Sequence, residues 1–83
     1  MSVKAYIFIA TTVGKNKDVS STLREVDHVT SVDLVMGPYD IIVQVENLSL
    51  NEIGDLVTTN IHSIPGVSRT LTCLAANPLG LSS

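Results

Sequence analysis

VTSVDLVMGPYDIIVQVE, running from Val29 to Glu46, reads as two strands and the turn between them. In its first part Val32, Leu34 and Met36 alternate with Ser31 and Asp33, the period of two that a half-buried strand requires. Gly37-Pro38 interrupts the run, and Tyr39-Asp40 then leads into the β-branched series IIVQVE. A connection this short joins antiparallel neighbours, so the stretch predicts a hairpin. Asp40 stands oddly at the mouth of a strand that otherwise looks like core. Two readings are open: a turn residue bonding nearby backbone amides, or a charge held for a ligand.

Working outward from the hairpin, VKAYIFIA (Val3 to Ala10) is rich in strand formers and apolar on both faces, as a central strand would be. Lys17 to Val26 places Val19, Leu23 and Val26 at helical spacing, with Asn16 available as N-cap. Ser49-Leu50-Asn51-Glu52 is a capping-box pattern. Behind it Leu50, Ile53, Val57, Ile61 and Ile64 recur at helical intervals, and Pro65-Gly66 ends the helix. VSRTLTCLA (Val67 to Ala75) is the fourth strand. The order is β-α-β-β-α-β, two split βαβ units, and it predicts an α+β ferredoxin-like plait: a four-stranded antiparallel sheet with both helices on one face. The two halves echo one another, Val26-Asp27-His28-Val29 beside Ile64-Pro65-Gly66-Val67. The 83 residues are expected to form a single domain, near the lower size limit for a self-sufficient core, with 76–83 as a short C-terminal extension.

Alternation assigns each strand two faces. The helix side is expected to take Val3, Ala5, Ile7, Ile9, Ile41, Val43, Val45, Leu71 and Cys73, and the other face Tyr6, Phe8, Ile42 and Leu74. A contiguous apolar face on so small a domain is rarely left in water, so these four residues are read as a dimer interface. The plainer reading is a scatter of surface hydrophobes.

Charge and residue types exclude several functions. The net charge is −3 and the five Lys and Arg are dispersed, without the cationic footprint that nucleic acid demands. The single cysteine, Cys73, allows no intrachain disulfide and fits a reducing compartment; it is read as a small core hydrophobe. No signal-peptide pattern and no apolar run near the ~20 residues of a membrane span is present, so the chain is expected to be cytoplasmic. No nucleophile, base and orienting acid share a spacing, so no catalytic residue is expected. His28 and His62 read as surface residues, His62 in the last turn of the second helix. No cluster of His, Cys or carboxylates implies a metal, and the dispersed glycines form no phosphate loop, so no cofactor is expected.

Two features carry binding chemistry. In the hairpin turn, Gly37 offers backbone angles and close approach that a side chain would forbid, and Asp40 could accept from an ammonium group. On the fourth strand Thr70 and Thr72 present two hydroxyls on one face, expected to be the face away from the helices. Those hydroxyls could donate to a carboxylate, although threonine is also an ordinary strand residue.

At these positions the sequence resembles the regulatory domain of the leucine-responsive/asparagine-regulator (Lrp/AsnC) family, the RAM (regulation of amino-acid metabolism) domain. The resemblance is carried by VKAYIFI, by Gly37-x-Tyr39-Asp40 followed by IIVQVE, and by IPGVSRTLT, and it spans about Val3 to Leu74. It implies a domain that dimerises through its sheet, dimers that assemble into rings, and an amino-acid effector held between them. Carried over, Gly37, Tyr39 and Asp40 line the turn side of that site and Thr70 and Thr72 the strand side. Family members usually carry an N-terminal helix-turn-helix, whereas this sequence starts at the first strand, so a stand-alone module without its own DNA-reading domain is expected. In the family a Pro-Gly usually stands where this chain has Asp27-His28.

The expected function is an amino-acid-binding and oligomerisation module of Lrp/AsnC-type regulation, co-assembling with full-length regulators. The rivals are a small dimeric α+β barrel enzyme, which would need polar residues in the cleft between sheet and helices, and a structural partner without effector binding. Fold alone does not choose among them.

Overall fold

Alternating apolar residues at positions 5, 7 and 9 of the first strand and 41, 43 and 45 of the third are fully buried, and they organise the molecule. The computed structural model describes residues 3–76. In it β1 (Val3–Thr11), α1 (Asn16–Leu23), β2 (Val29–Leu34), β3 (Ile41–Leu48), α2 (Leu50–Asp55) and β4 (Val67–Leu74) follow in the expected order. The sheet runs β2-β3-β1-β4 with every pair antiparallel. Apart from Ala76, the expected C-terminal extension lies outside the described residues.

Val19 and Leu23 of α1, with Ile53 of α2 and Ile61 just beyond it, close over Ala5, Ile7, Ile9, Val43 and Val45 in one core. Both helices therefore cover the same side of the sheet, which is the ferredoxin-like plait. Each element starts for a local reason. The Ser49 hydroxyl accepts from the Glu52 amide (3.2 Å) while the Glu52 carboxylate accepts from the Ser49 amide (2.8 Å), so the capping box of α2 is complete. At α1 the expectation is not met: Asn16 is the first helical residue, Lys15 is the N-cap, and no side chain caps the helix.

The second helix also departs from the expected regular stripe. After Asp55 the chain continues as π-helical turns over Leu56–Ile61, with the His62 amide donating to the Val57 carbonyl at 2.7 Å. Val57, Thr58 and Thr59 are consecutive β-branched residues, which crowd an α-helical turn. Thr58 Oγ1 donates to the Gly54 carbonyl and competes for an acceptor of the helix ladder. Leu50, expected on the apolar stripe, is exposed.

The largest correction concerns β4. The ladder pairs Ala5 with Leu74, Ile7 with Thr72 and Ile9 with Thr70, so these three residues of β4 share the helix side with the core residues of β1. Tyr6 opposes Cys73 and Phe8 opposes Leu71 on the outer face. The expected parity of β4 is thus reversed: Leu74 leaves the proposed dimer face, Leu71 and Cys73 enter it, and Thr70 and Thr72 lie on the helix side. Cys73 is exposed and no core residue. The reason is that β4 is an edge strand with no fully buried residue. Leu71 and Leu74 are 47% and 46% exposed, so burial gives neither parity an advantage, and a one-residue slip exchanges the faces.

Candidate functional site at the hairpin turn

The segment between β2 and β3 folds back on itself, the Val35 amide donating to the Asp40 carbonyl at 2.9 Å. It is anchored to the centre of the sheet by the Asp40 amide, which donates to the Ile9 carbonyl at 2.9 Å. Asp40 Oδ2 then accepts twice from one residue of β1, from the Thr11 amide at 2.8 Å and from Thr11 Oγ1 at 3.1 Å. The carboxylate is therefore a long-range clamp between turn and strand, a role that neither reading of the sequence contained. Both bonds fall on Oδ2, and among the described residues Oδ1 has no donor.

Tyr39 turns to the outer face and meets Phe8 edge-on, ring centroids 5.8 Å apart at 64°. From β4, Arg69 reaches back across β1 to the same turn. Its guanidinium carbon lies 5.1 Å from the centre of the Tyr39 ring, and Nη2 donates to the Pro38 carbonyl at 3.4 Å. Arg69 has the parity of Leu71 and Cys73, pairing with Ala10 on β1. The turn and β4 meet within the chain through Arg69, which the sequence did not single out. The available signal was its place directly before Thr70-x-Thr72, on the outward parity once the register is known.

Gly37 is not held in a left-handed conformation, and a Cβ built there meets nothing within 4 Å. Contrary to expectation, the chain's own fold does not require glycine at this position. Below the turn, Phe8, Met36, Tyr39, Ile42, Leu71 and Cys73 line an open, apolar concavity of about 400 Å³ on the outer sheet face. Thr70 and Thr72 stand on the other side of β4. Within one chain the turn and the two hydroxyls therefore do not form a single pocket. No helix among the described residues is long and apolar enough to cross a membrane.

Comparisons with known proteins agree with this fold. The family model described as the Lrp/AsnC ligand binding domain matches residues 4–79. FFRP-DM1 is 33% identical over 88% of this chain and 97% of its own, with a TM-score of 0.83. A Thermus thermophilus protein, TTHA0845, is 32% identical over 92% of this chain and 95% of its own, with a TM-score of 0.86. The Neisseria meningitidis transcriptional regulator NMB0573, solved as a complex with L-Met, shares the fold at 18% identity and a TM-score of 0.82; 98% of this chain aligns with 54% of that one. A comparison with curated proteins finds no match. By its turn, its strand order and the model it matches over almost its whole length, this chain belongs to the Lrp/AsnC ligand-binding domain family.

Proposed function

We propose that the domain binds a free α-amino acid at the hairpin-turn corner and does so as an oligomer assembled through its open sheet face. The observation that carries this reading is the state of Asp40. Thr11 fixes the carboxylate through Oδ2 alone, which leaves Oδ1 as a pre-oriented acceptor for an ammonium group. The L-Met complex of the Neisseria regulator supports an amino acid as the ligand class. Thr70 and Thr72 lie on the other side of the sheet from Tyr39. A ligand touching both sets therefore sits where two copies meet, with the turn from one and the hydroxyls from the other.

Tyr6, Phe8 and Ile42, joined by Leu71 and Cys73, form the face that a second copy covers. Its apolar character and the concavity at its turn end favour a partner of the same kind over water. Larger rings, and mixed assemblies with full-length regulators that supply the DNA contact, extend the same surfaces. The enzyme reading fares worse. Aliphatic side chains pack between sheet and helices, and the buried polar side chain there, Ser20, spends its hydroxyl on the Lys17 carbonyl of its own helix.

Thermal unfolding in the presence of each common L-amino acid tests the sensor reading. A ligand at 100 times its Kd stabilises the native state by roughly 2.7 kcal/mol per site. An unchanged melting curve with all of them, from a protein shown to be oligomeric, leaves the structural-partner reading in its place. For the assembly itself, Phe8→Glu should convert the oligomer to monomer in light scattering, whereas Lys17→Glu on α1 should not. A monomeric wild-type protein at micromolar concentration sinks the proposed interface.

A further inference from the structure

Arg69 brings a positive charge to the corner where Asp40 holds a negative one, and the two are not paired with each other. Among the described residues the guanidinium's partners are the Tyr39 ring and the Pro38 carbonyl, neither of them an anion. The partner of the Asp40 carboxylate is Thr11, not a cation. The ladder places both residues beside the same stretch of β1: Asp40 donates its amide to Ile9, and Arg69 pairs with Ala10 from the opposite side. They therefore flank one strand from its two neighbours, at a separation of about two strand spacings, roughly 10 Å between backbones. Two opposite charges left uncompensated across such a gap complement a zwitterion, whose ammonium and carboxylate are carried on one carbon.

We infer that Arg69 is the specificity residue for the carboxylate of the amino acid, gripping it with the guanidinium fork while Asp40 takes the ammonium. This rests on the sensor reading above and adds the group that tells an amino acid from a simple amine. With its carbon 5.1 Å from the Tyr39 ring centre and one long bond to the Pro38 carbonyl, the guanidinium sits over the turn with N–H groups to spare. A planar fork meets a carboxylate through two parallel bonds, which a lysine ammonium cannot reproduce. The hydroxyls of Thr70 and Thr72, on the far side of β4, reach the same ligand only from a second copy.

The test uses paired probes: L-methionine, L-leucine and L-asparagine, each beside its α-carboxamide, which keeps the ammonium and side chain but loses the negative charge. Isothermal titration compares wild type, Arg69→Met, Arg69→Lys and Asp40→Asn. The expected result is that wild type prefers at least one acid over its amide by about ten- to a hundredfold, the range for a charge-assisted bond. Arg69→Met should erase that preference by weakening the acid alone, and Arg69→Lys should restore part of it. Asp40→Asn should weaken acid and amide alike. A merely structural role for Arg69 would weaken both probes together. If Arg69→Met keeps the full acid-to-amide preference, the inference is wrong while the sensor reading stands. If wild type binds none of the common L-amino acids, these three included, the sensor reading fails and takes this one with it.

Discussion

The two turns that enter the edge strands, Val26–Val29 before β2 and Ile64–Val67 before β4, have one backbone and different side chains. In each, the first residue's amide donates to the last buried residue of the preceding helical segment, Leu23 or Ile61, both at 3.1 Å. In each, the fourth residue's amide returns to the first residue's carbonyl. The third residue is left-handed in both, His28 at φ 73° and Gly66 at φ 102°. Its carbonyl then takes an amide from the end of a central strand: Glu46 for His28 at 3.1 Å, Thr12 for Gly66 at 2.8 Å. What differs is the space. A Cβ on Gly66 would stand 2.9 Å from Lys15 Cβ and 3.0 Å from Val19 Cγ2, against the start of α1. His28 is exposed, close enough to the start of α2 for its charge to be felt by Glu52. The fold needs the left-handed turn twice but the missing side chain only once, which is why the second half keeps Pro-Gly and the first accepts Asp27-His28.

The comparison breaks most directly at Gly66. Gly66→Ala meets both penalties, the left-handed backbone and the overlap with α1, and should lose about 2–4 kcal/mol in urea unfolding. A loss no larger than a few tenths would show that the two turns are equally open.

The clamp on β1 is the next largest effect. The end of this strand is held twice, Thr12 by Gly66 and Thr11 by Asp40, whereas at the matching end of β3 the Glu46 carboxylate accepts only from side chains, Gln44 and Thr30, among the described residues. Asp40→Ala strands the Thr11 amide and should destabilise by about 1–3 kcal/mol. Asp40→Asn retains an acceptor oxygen for Thr11 and should lose less than half of that, while still abolishing the proposed ammonium contact. Equal stability losses in the two variants would mean that the charge, not the geometry, holds the strand.

The helix starts differ in the same direction, α2 capped and α1 not. Ser49→Ala should cost about 1 kcal/mol, and Asn16→Ala almost nothing. The Glu52 carboxyl lies below its ordinary value, first because the Ser49 amide donates to it and then through the Ser49 hydroxyl. A folded value below the unfolded one means that ionised Glu52 favours the fold. Its contribution is complete above the unfolded value of about 4.3 and is lost as pH falls from there through the lower folded value. Glu52→Gln should flatten that part of the acid unfolding profile.

The smallest effect is a gain. His28→Gly removes the cost of a non-glycine left-handed residue, about 1–2 kcal/mol, and adds back about 0.5–1 kcal/mol of chain entropy. The net should be about 0.5 kcal/mol of added stability, and a loss would show that His28 contributes contacts beyond its turn.

Local chemistry made much of this molecule legible from its residues. The alternation in β1 and β3, the hairpin between β2 and β3 and the Ser49–Glu52 cap follow from interactions within a few residues, or from burial strong enough to give one face an unambiguous apolar set. The echo between the two turns was also visible, because both sit at equivalent ends of the repeated unit. What the sequence left open lies where neighbours in space are far apart along the chain and burial is weak. β4 carries leucines on both parities and is half-exposed on both, so only the ladder with β1 decides that Thr70 and Thr72 face the helices and Arg69 faces out. Asp40 finds Thr11 twenty-nine residues away, a partner that no local turn rule contains. The corner proposed for binding is therefore a product of register: strand pairing sets which charges share a face, and register is a property of the assembled sheet.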